Sequence, residues 1–503
     1  MYLELDGHGA RYLQLIRALK ASILSGRIPA GERLPATRTL ARELGVSRNT
    51  VLVAYEQIVA EGFADGRIGA GTYVADLGVR RKPQRRLDEV PAQSRYARRA
   101  RATERKDLTH VHADLRYDLQ YGAPLLNPTI TGAWRRELGR AAGQRSLDYP
   151  GARGLRRLRE AIVGYLARRR GLQVRRQDIV IVSGAQQAFD LAARALLNEG
   201  DTVAIEDPSY FGMREVMQAH GARVSPVPVD NEGLVCSGLP GEGAKLVCVT
   251  PSHQFPSGAL LSLPRRLELL RYASRHRGWI IEDDYDGEFR FDARPIAALR
   301  ALDEADRVIY VGSFSKILFP ALRLGYIVLP AALCGDFVAA KRLADLGCPA
   351  IEQAALANFM HSPGFDRHLR NASGALRARR RALLAGLQTH ARNRVDVVDA
   401  PAGMHTVVWL RDCTFADCER LIAEGRTVGL GLYPIEPHYI DKPSRPGLLL
   451  GYAGLSAEDI AVAMRLFGEC LANLGKARRP GSSRPEEVAR PQMASSDREK
   501  SDL

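Results

Sequence analysis

Residues 312–330 read GSFSKILFPALRLGYIVLP, and the interpretation of the chain starts there. The apolar run VIYVGSF (308–314) reads as a strand that ends in a Ser-rich turn carrying Lys316. Arg323 follows seven residues later, and YIVL (326–329) reads as the next strand. A lysine amine at such a turn can form a Schiff base with an aldehyde cofactor. A phosphate on that cofactor would need donors, which Ser313, Ser315 and Arg323 supply. Thirty-three residues before Lys316, the strand WIIED (279–283) ends on Asp283, a carboxylate suited to a protonated ring nitrogen.

Two further segments repeat this strand-then-turn form. IVIVSGAQQAF (179–189) predicts a strand, an SGA turn and a helix, so Ser183 and the first backbone N–H groups of that helix can cradle a phosphate. EDPSYFG (206–212) places Tyr210 after another strand, where its ring could stack on a flat cofactor. With VAI (203–205) and KLVCVT (245–250), short apolar strands alternate with helical patterns such as Phe189, Ala192, Ala193, Leu196 and Leu197. That alternation predicts an α/β body with a mostly parallel sheet and helices on both faces, its functional loops at the carboxyl ends of the strands.

The chain has 503 residues, too many for one ordinary domain, with 46% hydrophobic and 26% charged residues, as in folded globular proteins. It shows no apolar run long enough to span a membrane and no N-terminal signal pattern, so a cytoplasmic location is expected. Seven scattered cysteines without C-x-x-C spacing fit a reducing compartment and predict neither a disulfide framework nor a metal site. The formal net charge is +15. Residues 80–106 hold eleven Lys/Arg against three Asp/Glu, so more than half of the excess lies in that stretch. Composition therefore divides the chain into a head (1–78), an Arg-rich exposed linker (79–106), a body (107–473) and a Ser/Pro/charge-rich disordered tail (474–503).

In the head, Ile16, Leu19 and Ile23 mark the buried face of a first helix. Thr37 reads as the N-cap of a second that stops at Gly45, and Ser47 as the cap of a third, with Val51, Ala54, Tyr55 and Ile58 turned inward. GRIGAGTYV (66–74) then predicts a tight hairpin, which completes a winged helix-turn-helix plan. The polar start of the third helix, Ser47, Arg48, Asn49 and Thr50, suits phosphates and base edges in a major groove, and Arg38 suits a backbone phosphate.

Over residues 12–74 the head resembles the GntR family of bacterial regulators, through GRIPAGERLPATRTLA, VSRNTV and GAGTYV. The resemblance implies that Thr37, Arg38, Ser47, Arg48, Asn49 and Thr50 meet double-stranded DNA, with Gly69 in the wing. The combination of motifs in the body resembles fold-type I aminotransferases over roughly residues 115–470. This implies pyridoxal 5'-phosphate as cofactor. Lys316 would form its internal aldimine, Asp283 would bond the pyridine nitrogen and Tyr285 the ring hydroxyl, and Tyr210 would stack on the ring. Gly184, Ala185, Gln186, Ser313, Ser315 and Arg323 would hold the phosphate. Tyr149, in DYPGARG, would reach the phosphate of a neighbouring subunit, which implies a homodimer.

The chain also departs from that pattern. Where many aminotransferases have N-P-x-G it reads TPSHQFPSG (250–258), with Phe255 in the asparagine's place. Where they carry an arginine for the substrate carboxylate it reads PGLLLGYAGLS (446–456), with Leu449 or Leu450 there. A GntR-type head joined to an aminotransferase-like body resembles the MocR/GabR regulators. The expected function is a regulator whose body senses an amine or amino-acid effector, or pyridoxal phosphate itself, as a head-to-tail dimer. The alternative is a working aminotransferase with a DNA-binding head.

Overall fold

The computed structural model describes residues 3–67, 70–77, 93–103, 115–123, 125, 128–143, 148–291 and 296–477. The chain divides into two compact units, Met1–Ala92 and Gln93–Leu503.

The head contains α1 (Arg11–Leu24), α2 (Thr37–Leu44), α3 (Arg48–Ala60) and an antiparallel hairpin of β1 (Ala64–Arg67) and β2 (Gly71–Val74). Leu15, Ile16, Leu19 and Ile23 of α1 meet Val51, Ala54, Tyr55 and Ile58 of α3, with Leu40 of α2 closing the core. Each of the Leu, Ile and Val side chains contributes roughly 1.5–3 kcal/mol on burial, which holds three short helices that would be marginal alone. Ser47 accepts a hydrogen bond from Thr50 N at 3.1 Å and so caps α3 as expected. Thr37 does not cap α2; it is the first helical residue, preceded by extended Ala36. Gly45 ends α2 in the left-handed conformation. Gly69 lies outside the described residues.

The body starts with α4 (Arg95–Thr103), β3 (Tyr117–Asp118), α5 (Pro128–Ala142) and α6 (Arg156–Arg170). It continues through β4 (Ile179–Val182), α7 (Ala185–Leu196), β5 (Thr202–Asp207), α8 (Phe211–Ala219), β6 (Arg223–Asp230) and β7 (Gly233–Leu234). Next come β8 (Leu246–Val249), α9 (Leu263–Arg275), β9 (Trp279–Asp284), β10 (Val308–Ser313) and β11 (Gly325–Val328). Helices α10 (Cys334–Asp345), α11 (Ala350–His361) and α12 (Pro363–His390) lead to a second lobe. That lobe holds β12 (Val395–Val397), β13 (His405–Leu410), α13 (Phe415–Thr427), β14 (Leu430–Gly431), β15 (Tyr433–Pro434), β16 (Gly447–Gly451) and α14 (Ala457–Ala477).

The large sheet has the order β4-β11-β10-β9-β8-β5-β6-β7, and the run from β10 through β6 is parallel. Side chains on β4 alternate between two cores: Ile179 and Ile181 pack on one face, Val180 and Val182 on the other. A strand buried on both faces must be apolar throughout, which is why IVIV reads as an unbroken run. The second lobe is an antiparallel sheet, β12-β13-β16-β15.

Two expectations from composition change. Part of the stretch read as an exposed linker is helix α4, which packs on α8. Arg95 and Arg99 pair with Glu199, and Tyr96 meets His220 edge-on at 5.1 Å. An arginine run looks like a tether until a carboxylate and an aromatic contact give it a docking face. At the other end, α14 continues through Ala477, beyond the expected boundary at 473. The remainder of the tail lies outside the described residues. Among the described residues, no helix is long and apolar enough to cross a membrane, and no cluster of His, Cys, Asp and Glu could hold a metal ion.

Candidate functional site

The carboxyl ends of β4, β5, β9 and β10 meet at one corner of the body. Backbone register fixes part of this corner: Val311 on β10 pairs with Asp283 on β9, and Ser313 pairs with Gly325 on β11, which in turn pairs with Val182. Lys316 lies in the turn after β10. Its amine is buried and donates to Gly122 O at 3.1 Å. Burial lowers its pKa, and the carboxylates of Asp286 and Asp283 oppose that shift. Gly122 is left-handed, at φ +72°, and a Cβ there would sit 2.7 Å from Lys316 Nζ.

Asp283 is buried and its Oδ1 has no hydrogen-bond partner. Burial, with Asp284, Asp286 and Glu206 adding like charge, pushes its carboxyl up to about 8. A cationic ring nitrogen is the group this carboxyl lacks. Tyr210 is half-buried, with its ring near Phe211 and Phe255, and its hydroxyl is held above the ordinary tyrosine range by burial and then by Asp283.

The opposite side of the corner is built for an anion. Helix α7 starts after Gly184 with no side-chain cap, so the backbone N–H groups at Ala185 and Gln186 belong to an uncapped helix start. Arg323, in the left-handed conformation at φ +49°, donates to Ser183 O at 2.8 Å and lies beside Gly184. Three glycines meet here without side chains. A Cβ on Gly325 would stand 2.9 Å from Gly312 O and 3.1 Å from Gly184 Cα, and one on Gly312 would strike the Tyr326 ring. Ser313 Oγ accepts from Ser315 N at 3.2 Å. Ser183 turns its hydroxyl toward the Cys348 thiol, 3.5 Å away, and the Gln186 side-chain amide donates to Gly212 O.

The structure therefore gathers Lys316, Asp283, Tyr210, Tyr285, Ser183, Gly184, Ala185, Gln186, Ser313, Ser315 and Arg323 at one corner. Tyr149 is not among them: it is 79% exposed on this chain. Tyr285 places its hydroxyl 2.8 Å from His253 Nδ1, and the same nitrogen lies 2.9 Å from Asp286 Oδ2. Sequence reasoning missed His253, although the buried His-Asp pairing explains why TPSHQFP carries an imidazole. It also missed Gly122. The unpartnered Asp283 oxygen, the buried amine and the uncapped helix beside Arg323 fit pyridoxal phosphate in charge and donor type.

In the head, Arg38, Ser47, Arg48 and Asn49 are exposed, while Thr37 and Thr50 are half-buried. Ser47 and Thr50 are tied to one another, with their hydroxyls 2.8 Å apart. That leaves Arg48 and Asn49 as the outward groups at the start of α3.

Comparison with known proteins agrees with both units. Residues 11–74 match the bacterial regulatory proteins, gntR family, and residues 118–431 match aminotransferase class I and II. The chain is 35% identical to the probable rhizopine catabolism regulatory protein MocR of Rhizobium meliloti, covering 90% of this chain and 92% of the relative. It is 31% identical to the pyridoxine biosynthesis regulator PdxR of Corynebacterium glutamicum, covering 76% and 77%. The body resembles LysN, an alpha-aminoadipate aminotransferase of Thermus thermophilus solved with a phosphopyridoxyl-leucine. That match has a TM-score of 0.64 and 27% identity, and covers 71% of this chain and 94% of LysN. The chain belongs to the MocR group of GntR-family transcription regulators, whose aminotransferase class I and II body is a pyridoxal-phosphate-binding domain.

Proposed function

We propose that this regulator reads the level of an amine or amino-acid effector in the cytoplasm, through the cofactor corner of its body, and alters promoter binding by its head. Pyridoxal phosphate, when bound, supplies an electrophilic carbonyl to primary amines. Lys316 would hold that carbonyl carbon, Asp283 the ring nitrogen and Tyr285 the ring hydroxyl, with Tyr210 against the ring face. The backbone at Gly184, Ala185 and Gln186, with Ser183, Ser313, Ser315 and Arg323, would hold the phosphate. The exposed Tyr149 suits a contact with a partner's phosphate in a head-to-tail homodimer.

The chain's own groups prepare this chemistry. Burial keeps the Lys316 amine readier to lose its proton than a surface lysine, so it can act as a nucleophile and be displaced by another amine. Burial favours the protonated Asp283 carboxyl, and a ring cation facing it would favour the ionised form. An effector that favours one arrangement of the body shifts the population of DNA-binding states by its differential affinity. In the head, Thr37, Arg38, Ser47, Arg48, Asn49 and Thr50 would contact DNA, with Gly69 in the wing.

The observation that carries the sensing reading over catalytic turnover is Leu449. On β16 it pairs with Val407 and Tyr433 and joins the cluster around Phe255, so an apolar side chain occupies the place of the carboxylate clamp. Leu450 packs in the opposite core, away from Phe255.

Lys316→Ala tests the proposal. Borohydride treatment followed by intact-mass measurement should add the cofactor's mass to the parent and not to the variant. Amine-dependent change in promoter mobility shift should disappear. A variant that still answers the amine overturns the reading, as would multiple transamination turnovers by the parent.

A further inference from the structure

His253, in the loop after β8, and Asp286, just after β9, form a buried pair against Tyr285. His253 Nδ1 lies 2.9 Å from Asp286 Oδ2 and 2.8 Å from the Tyr285 hydroxyl. A carboxylate oxygen can only accept, so the proton of this imidazole sits on Nδ1. His253 Nε2 is buried and has no partner among the described residues, which suits a nitrogen without a hydrogen. Packing holds the ring in this orientation: a Cβ on Gly403 would strike it, and one on Gly258 would stand 3.4 Å from Nε2. Phe255, edge-on to Tyr285 at 5.8 Å between centroids, brings no donor to the site.

We infer that His253 is a positioning residue for Tyr285: by donating its Nδ1 proton to Asp286, it keeps that carboxylate from claiming the Tyr285 hydroxyl and leaves the hydroxyl free to donate to the cofactor's ring oxygen. The inference rests on the pyridoxal phosphate reading above and deepens it. Burial, then Asp286, Asp283 and Glu206, hold the Tyr285 hydroxyl well above the ordinary tyrosine range, so it keeps a proton to give. A hydrogen bond to Asp286 is among those causes, so the carboxylate competes with the cofactor for that proton. An imidazole N–H on the carboxylate weakens the competitor. The other titratable groups that face this cluster are Lys316, Tyr452 after β16, and His405 on β13. His405 is held down to about 4 by burial and then by His253, so it stays neutral above that pH.

The test follows the visible absorbance of the full-length protein loaded with pyridoxal phosphate from pH 5 to pH 10 and reads the midpoint of its change. A donor on the ring oxygen draws away charge that would otherwise hold a proton on the Lys316 nitrogen, so losing the donor raises the midpoint. His253→Phe keeps a ring and removes both nitrogens; it should raise the midpoint by about one pH unit. His253→Leu should give a rise of the same sign, which guards against a ring that does not fit. His253→Asn puts an amide N–H where Nδ1 stands and should stay within ~0.3 pH units of the parent. Tyr285→Phe should raise the midpoint at least as far as His253→Phe, and the double variant should go no further. A midpoint unmoved by both apolar variants overturns the inference, as does an Asn variant that behaves like them. An undiminished effect of His253→Phe in the Tyr285→Phe background also overturns it, because His253 would then act by another route. A parent protein with no borohydride-sensitive cofactor band overturns the pyridoxal phosphate reading as well.

Discussion

Asp283→Asn gives a quantitative test of the corner's electrostatics. In the cofactor-free protein the Asp283 carboxyl is held up to about 8, chiefly by burial and then by Asp284, Asp286 and Glu206. An unfolded aspartate titrates near ~3.9, so between these values the folded chain keeps a proton that the unfolded chain has released. Stability contributed at this site is therefore undiminished below about pH 4 and falls as pH rises toward 8. The gap corresponds to roughly 5–6 kcal/mol at ~1.4 kcal/mol per pH unit. Glu206, itself raised to about 7 by burial, shares the proton load. A working expectation is about 2–4 kcal/mol at pH 8. Asparagine keeps the shape and does not titrate. Thermal unfolding of cofactor-free parent and variant from pH 5 to pH 9 should give curves that separate with rising pH, the variant melting a few degrees higher at pH 8. Other buried carboxyls, Glu282 and Glu288 near 7, titrate in both proteins and cancel in the difference. Added pyridoxal phosphate should stabilise the parent more than the variant. A pH-independent gap, or a parent more stable than the variant at pH 8 without cofactor, would refute the reasoning.

Two further outcomes follow from particular contacts. Gly122→Ala places a Cβ 2.7 Å from Lys316 Nζ on a left-handed residue. It should cost about 1 kcal/mol in stability and lower borohydride-fixable cofactor several-fold, read by intact-mass measurement. Ser47→Ala removes the cap on α3, which should lower the stability of the head by ~1 kcal/mol and weaken promoter binding, read by unfolding and mobility shift.

Much of this architecture can be read directly from residue order. IVIV and the VIYVG part of VIYVGSF form strands that are apolar because both faces are buried, while WIIED is a strand whose last two residues, Glu282 and Asp283, are buried carboxyls. Lys316, Asp283 and Arg323 could be picked out because their chemistry is narrow and each stands at or beside a strand end. Strand β6 is less legible: its Pro226 and Pro228 look like breakers, yet only the two-residue β7 lies beyond it in the sheet. Helix α4 was hidden because Glu199, the partner of its Arg95, is 104 residues away. Gly122 depends on a contact across 194 residues, which no local pattern records. The choice between Leu449 and Leu450 needed the strand register, since neighbouring residues on a strand face opposite sides.

The meeting of Gly184, Gly312 and Gly325 has a consequence for how this protein can change over generations. A Cβ on Gly312 or Gly325 falls where the Tyr326 ring or backbone atoms already stand, and Gly184 holds a backbone at φ +83° with the Arg323 guanidinium 3.3 Å from its Cβ position, so steps away from glycine are costly at all three. Position 449 is different: Leu449 packs among the side chains of Phe255, Val407 and Ile435, where another apolar side chain can stand while the sheet persists. In a saturation library the glycine corner should be nearly invariant among functional clones, while position 449 admits other apolar residues. The molecule thus sets a frozen chemical centre beside a wall that can be repacked without rebuilding it.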